Sequence, residues 1–375
     1  MKNIPMVDLK GQYNNIKTEI DTAIAGVIDN TAYINGPEVK SFQKNLEDYL
    51  SVKEVITCGN GTDALQIAMM ALGLKPDDEV ITANFTFVAT VEVIALLGLT
   101  PVLVDVYPDT FTIDIDAIEK AITPKTKAIV PVHLFGQAAD IEGIMKLADK
   151  YNLYIIEDTA QALGADYTFS DGRVAKVGTI GHVGTTSFFP SKNLGCYGDG
   201  GAIFTNGEDL SKKLRSIVNH GMKVRYYHDN VGVNSRLDTI QAAILDVKLN
   251  YLNTYNNNRR KAADYYDQAF ASCDNLQTPK RFEKSNHIFH QYTLVLSDVD
   301  RAGLQEHLKE RGVASAVYYP VPLHLQEAYK DDRYTRGDFP VTEDLCKNVM
   351  SLPIHTEMKE EDLKYIADSV LEFFK

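Results

Sequence analysis

From Glu54 to Phe204 the chain repeats one pattern, a short apolar run followed by a turn and an amphipathic stretch. Apolar runs at 55–58, 79–82, 102–106, 128–133, 154–158, 185–189 and 201–204 read as strands, and 62–72, 86–97, 115–121 and 141–151 read as helices between them. Strands separated by helices cannot pair through tight hairpins, so they lie parallel and need helices on both faces to bury their apolar side chains. The pattern predicts an α/β fold with a mostly parallel seven-stranded sheet between helices. Ligands of such sheets bind beyond the carboxyl ends of the strands.

Outside this region the pattern is weaker. Ile16, Ile20, Ile24, Val27 and Ile28 recur at helical spacing, and Ile34-Asn35-Gly36-Pro37 makes a turn before a helix at 39–50. Residues 208–260 read as helices around a loop, with a long helix near 238–252, and the polar run 255–260 closes the first unit. Strands at 292–296 and 314–319, a helix at 301–310 and a final helix at 360–374 predict a smaller C-terminal α+β domain. A chain of 375 residues exceeds one ordinary core, so the expected division is 1–255, the large domain with its helical lead, and 256–375.

Charge and cysteine usage narrow the partners. Thirty-eight Lys and Arg against 51 Asp and Glu give a net charge of -13 with no basic stripe, which argues against nucleic acid. Cys58, Cys196, Cys273 and Cys346 are widely spaced without C-x-x-C pairs, as suits a reducing cytoplasm. The N-terminus lacks an apolar run of signal-peptide length, and the apolar region 87–106 is broken by Glu92, Gly98, Pro101 and Asp105, so neither a signal peptide nor a membrane span is expected.

Three motifs carry chemistry. The run 58–64, C-G-N-G-T-D-A, follows a strand and opens a helix, where glycines admit a ligand and free N–H groups with the Thr62 hydroxyl can bind phosphate; an ordinary capped turn reads the same way. The run I-I-E-D-T-A-Q brings Asp158 to the end of a strand, where it is either a helix N-cap or a buried carboxylate in need of a cation. In S-F-F-P-S-K-N-L-G-C-Y-G-D-G-G a single lysine, Lys192, stands on a glycine-rich loop between strands; desolvation would make it a Schiff-base nucleophile, whereas alone it reads as a solvated lysine. An aromatic ring in N-F-T-F-V-A-T adds a surface for stacking. Phosphate cradle, ring, acid and lysine together describe a pyridoxal 5′-phosphate site, in which the acid keeps the pyridine nitrogen protonated and the lysine shuttles protons.

The order of these motifs resembles the DegT-like sugar-nucleotide aminotransferases. The resemblance runs from I-P-M-V-D-L through G-T-D-A-L, F-T-F-V-A-T, P-V-H-L-F-G, the S-F-F-P-S-K-N-L-G loop and V-G-V-N-S-R-L-D-T-I-Q-A-A to Y-Y-P-V-P-L-H and S-L-P-I-H. It implies fold type I of the pyridoxal-phosphate-dependent transferases and a homodimer with active sites at the interface. Carried over, Gly61, Thr62 and Ser187 hold the phosphate together with Asn234 of the neighbouring subunit, and Asp63 of the G-T-D motif counts with the cofactor-binding residues. Phe87 stacks on the ring, Asp158 pairs with its nitrogen, Gln161 contacts its hydroxyl side and Lys192 forms the Schiff base. Arg236, Tyr318 and Tyr319 fall where relatives contact the nucleotide sugar, and Tyr318 departs from the His many relatives carry.

The reading that results is a cytoplasmic, glutamate-dependent aminotransferase acting on an oxo group of a nucleotide-linked sugar. The resemblance points to the 3-position, with UDP-2-acetamido-2-deoxy-3-oxo-glucuronate as acceptor, in surface polysaccharide biosynthesis such as that of lipopolysaccharide. Alternatives are dTDP-3-oxo or 4-oxo-6-deoxy sugars as acceptors and a non-catalytic regulatory protein, which would be expected to lack the lysine or the acid. A sugar dehydratase is disfavoured because relatives with that activity carry His at the Lys192 position, and an NAD-dependent epimerase would need a G-x-G-x-x-G that the first strand lacks. His287-x-x-His290 reads as structural, and no metal is expected.

Overall fold

The computed structural model describes residues 2–375. Seven strands form the main sheet: β1 Glu54–Cys58, β2 Glu79–Ala83, β3 Thr100–Val104, β4 Thr126–Val130, β5 Tyr154–Asp158, β6 Val183–Ser187 and β7 Gly201–Thr205. All seven expected strands are there, each shifted by at most two or three residues. Their order is β1-β7-β6-β5-β4-β2-β3. Only β7 runs antiparallel to its two neighbours; the pairs β2–β3, β2–β4, β4–β5 and β5–β6 are parallel.

Alternation along each strand divides the interior. Ile81, Ile129 and Ile155 face one core, beneath the helices Ile115–Ala121 and Ile141–Tyr151. Their neighbours Val80, Ala128, Val130 and Ile156 face the other, beneath Gly61–Leu72 and Glu208–Ile217. Because both faces are covered, strand residues are apolar in succession, which is why short unbroken runs betray them in the sequence. The helices are set by their caps: the Asn60 side chain accepts from Asp63 N at 2.8 Å and Gly73, at φ 77°, ends the same helix.

A second core surrounds Tyr266, Phe270, Tyr292, Leu294, Leu308, Met350, Ile366 and Val370. Its strand Tyr292–Leu296 lies between Leu276–Gln277 and Val349–Leu352, with Arg301–Glu310 and Glu360–Glu372 as helices. One expected strand is corrected here. Residues 314–319 are not a strand: Ala316 makes a single isolated bridge to Ser351, and Pro320 and Pro322 supply no N–H to extend pairing beyond the segment. The polar run 255–260 is not a connection but part of the helix Leu252–Phe270, into which the expected division at 255/256 falls. Two of its polar residues, Asn256 and Arg259, point inward. Asn256 accepts from the Asn193 amide at 2.7 Å, and Arg259 Nη1 donates to the carbonyls of Phe289, His290 and Ile354.

Glu157, fully buried beside Asp158, braces the sheet. It accepts from Gly178, Ile180 and Gly181 N–H groups and from His133 Nε2 at 2.9 Å. His133 Nδ1 takes the Ala139 N–H, which leaves Nε2 as the donor. Burial opposes the charge of Glu157, but these donors outweigh it and hold its pKa below the ordinary 4.5. A carboxyl depressed on folding stabilises the protein above its unfolded pKa, and the contribution is lost as pH falls through the folded value. Glu157→Gln is therefore expected to cost about 1–3 kcal/mol at pH 7. Chemical unfolding should show the gap between variant and wild type narrowing towards pH 4, and a constant gap would count against the charge. Among the described residues, no helix is long and apolar enough to cross a membrane.

Candidate active site

The carboxyl ends of β5 and β6 and the start of the helix Gly61–Leu72 meet at one cavity of about 780 Å³. Asp158 enters it from the last position of β5, 6% exposed, with its carboxylate accepting from Thr90 Oγ at 3.1 Å and Ala160 N at 3.0 Å. Burial raises its pKa, against the Ala160 N–H, the charge of Lys192 and the Thr90 hydroxyl. The acid is thus short of a cationic partner.

Lys192 stands on the β6–β7 loop, which is pinned on several sides. Its N–H donates to Phe189 O at 2.8 Å, Cys196 N to Phe188 O at 2.8 Å, and the buried Lys248 ammonium holds the Gly195 carbonyl. A Cβ on Gly195 would lie 2.3 Å from the Pro190 carbonyl oxygen, so only glycine closes this turn. Burial pulls the Lys192 amine down to about 8, with Asp158 opposing. A lysine with an accessible free-amine form is suited to attack a carbonyl and to carry protons.

At the far end, the Asn60 cap leaves the first helical N–H groups, Gly61 and Thr62, facing the cavity. Gly61 packs so closely on Ser187 that an added Cβ would lie 2.7 Å from the Ser187 Cβ, which brings hydroxyl and helix start together. The Thr86 hydroxyl is buried there without a partner. Phe87, 55% exposed, lies at the opening 6.3 Å from the ring of Tyr319. Gln161 Oε1 accepts from Phe135 N at 2.8 Å while its amide donates to the Tyr319 hydroxyl at 3.1 Å. A helix-start anion cradle, an exposed ring, a buried acid seeking a cation and a lysine of depressed pKa fit a phosphorylated pyridine aldehyde.

Ten of the residues singled out in the sequence line this cavity: Gly61, Thr62, Asp63, Phe87, Asp158, Gln161, Ser187, Lys192, Tyr318 and Tyr319. Asp63 holds the Ser235 hydroxyl at 2.5 Å. Two lie elsewhere. Asn234 is exposed and bridges to Asn219, and Arg236 lines a separate pocket of about 240 Å³ with Lys40 and Arg215. The sequence reading missed Asn60, Thr86, Thr90 and Phe135, and did not place His290 or Gln291 in the cavity. Asn60 was readable as a helix cap in G-N-G-T-D; the others arrive through long-range packing.

Fold and site together define a pyridoxal-phosphate-dependent enzyme of fold type I. The chain belongs to the DegT/DnrJ/EryC1/StrS aminotransferase family, which residues 14–371 match. It is 46% identical, over 97% of its length and 98% of the relative's, to the UDP-2-acetamido-2-deoxy-3-oxo-D-glucuronate aminotransferase of Pseudomonas aeruginosa. It is also 46% identical, over 100% and 99%, to a Geobacillus stearothermophilus protein named pleiotropic regulatory protein. The structure of S. venezuelae DesV in complex with a ketimine intermediate superposes with a TM-score of 0.95 at 37% identity, covering 100% of this chain and 99% of that one. That of Bacillus subtilis NtdA with bound cofactor PMP gives 0.91 at 33%, covering 99% and 85%.

Proposed function

We propose that the protein transfers the amino group of glutamate to the 3-oxo group of a nucleotide-linked sugar, with UDP-2-acetamido-2-deoxy-3-oxo-glucuronate as the leading acceptor. The observation that carries the transferase reading is the pairing, in one cavity, of a lysine amine lowered to about 8 with a buried acid whose pKa burial raises despite the charge of Lys192. The choice of acceptor is supported by the 46% identity to the Pseudomonas aeruginosa enzyme. When bound, the cofactor supplies an electron sink for the carbon that exchanges its amino group. Gly61 and Thr62 N–H groups with the Ser187 hydroxyl would hold its phosphate, Phe87 would cover its ring and Asp158 would keep its nitrogen charged. Lys192 Nζ takes a proton from the reacting carbon of the donor and returns one to the acceptor.

The same proposal makes the active unit a homodimer working in the cytoplasm, in which Asn234 and Arg236 serve the neighbouring cavity. Their position outside their own cavity, with Ser235 between them bonded to Asp63, supports this reading. Mixing Lys192→Ala and Asn234→Ala protomers should regenerate one intact site per heterodimer. Absence of recovered activity, with subunit exchange shown independently, would sink the cross-subunit role.

A planar carboxylate on the acceptor would match the fork of donors on Arg236. Arg236→Ala should then lose about 2 kcal/mol in kcat/KM on the 3-oxo-uronate relative to a neutral 3-oxo sugar, roughly thirty-fold. Equal losses on the two acceptors, or a wild type that prefers 4-oxo-6-deoxy sugars, would direct the reading to dTDP sugars. The Geobacillus stearothermophilus relative's name favours a second reading, a regulator without catalysis. A panel of oxo-sugar nucleotides offered with glutamate separates the two, since a regulator turns over none.

A further inference from the structure

Glutamate carries a carboxylate on the carbon that bears its amino group, so this carboxylate must come to rest close to Lys192 Nζ when that carbon exchanges its proton. Lys192 itself is the one lysine or arginine among the described residues lining the cavity. The other charged groups of the lining are the carboxylates Asp63, Asp158 and Asp199, so the hydrogen-bond donors left for an anion are uncharged. His290 and Gln291 follow one another along the wall, and neither side chain has a hydrogen-bond partner among the described residues.

The backbone around them is braced with unusual completeness. The ring of His287 stacks on Phe289 at 3.8 Å, and His287 Nδ1 accepts the Phe289 N–H at 3.0 Å. Phe289 is held at φ 49°, a left-handed conformation that a phenylalanine adopts only when its surroundings impose it. Ile288 N donates to Gly136 O at 2.9 Å and Gln291 N to Phe135 O at 3.3 Å, while Arg259, fully buried, holds the carbonyls of Phe289 and His290. Every one of these bonds fixes main chain or a neighbouring ring.

His290 is only 6% exposed, and its Nδ1 is buried with no partner at all. An unsatisfied buried polar atom costs about 1–3 kcal/mol, and folded chains retain one where something else completes it. Burial, then the charges of Lys192 and Arg259, push the His290 pKa well below 6.5, although Asp63, Asp158 and Asp199 line the same cavity. The ring is therefore neutral, with one N–H to donate.

We propose that His290, with Gln291 beside it, receives the α-carboxylate of the amino donor through uncharged hydrogen-bond donors. The assignment rests on the aminotransferase reading above and concerns its donor half alone. It makes donor recognition a property of each subunit's own wall, in contrast to the acceptor contacts drawn from the neighbour.

The test uses the cofactor-loaded enzyme. Calorimetry with 2-methyl-L-glutamate, which binds but has no proton to lose at the reacting carbon, reports donor binding without turnover. 4-Aminopentanoate, which lacks the α-carboxylate, is measured by its inhibition constant against glutamate. His290→Leu should raise the Kd of 2-methyl-L-glutamate and the KM of L-glutamate on the order of ten-fold or more, as expected for hydrogen bonds to a charged group. Gln291→Leu should act in the same direction, His290→Gln should recover most of the loss, and the constants for 4-aminopentanoate and for the sugar should stay where they are. A Kd within two-fold of wild type in His290→Leu, or equal losses for both ligands, overturns the assignment. If His290→Leu does not fold, Gln291→Leu decides by the same criterion. A wild type that transfers no amino group from glutamate removes the aminotransferase reading and this one with it.

Discussion

Lys192→Ala is expected to lower turnover of glutamate with the oxo-sugar by on the order of 10⁴-fold or more, since proton transfer by a placed group is alone worth about 10²–10⁴. The covalent attachment is lost as well. The same change should make the apoprotein more stable. Folding lowers this lysine from 10.5 to about 8, mainly by burial, so the unfolded chain binds the proton more tightly. Stability that depends on such a group rises with pH between the folded and unfolded values, and at neutral pH the buried amine is a cost. Removing it relieves the cost, most clearly below pH 8. Thermal unfolding of apoprotein, wild type against variant, at pH 7 and pH 10 would measure this; a variant less stable at pH 7 would show that the loop depends on Lys192 for its packing. Near-normal transamination in the variant would remove Lys192 from the chemistry altogether.

Asp158→Ala should leave part of the cofactor binding intact and remove most of the activity. The residues proposed to hold the phosphate, Gly61, Thr62 and Ser187, lie on different elements from the acid. On the proposed role, what disappears is the partner of a charged ring nitrogen. Losing one member of a buried pair costs about 3–5 kcal/mol, which corresponds to roughly 10²–10⁴-fold if the whole loss falls on the transition state. Thr90 and the Ala160 N–H, now without their acceptor, add a structural cost that cofactor titration separates from the kinetic one. Full activity in Asp158→Ala, with cofactor shown to be bound, would rule out the ring-nitrogen role.

The sheet was legible because most of its strands are enclosed on both faces and carry short apolar runs, although β6 is largely Gly, Thr and Ser. The places of Asp158 and Lys192 in the cavity were legible for other reasons, Asp158 as a polar residue ending such a run and Lys192 as the single lysine of a glycine-rich loop between two strands. His290 was not. Its neighbours in space, Lys192, Phe135 and Gly136, lie far away in sequence, and H-x-x-H near a strand describes many structural histidines. Residues 314–319 misled in the opposite sense: their composition suits a strand, but they pair with the sheet only through the single bridge at Ala316.

The helix Leu252–Phe270 is instructive because the polar run 255–260, at which the sequence was divided, lies inside it. Asn256 and Arg259 use their donors and acceptors within the protein. Anyone dividing the gene where composition changes would cut between Tyr255 and Asn256 and place the lysine-bearing loop's partner on the other fragment. Neither half would then hold a complete set of contacts: 1–255 would lose the amide that grips Asn193, and 256–375 would expose a helix start meant for an interior. Reassembly of the two fragments, followed by return of cofactor binding, would report how tightly this one helix joins the wall that positions His290 to the loop that positions Lys192.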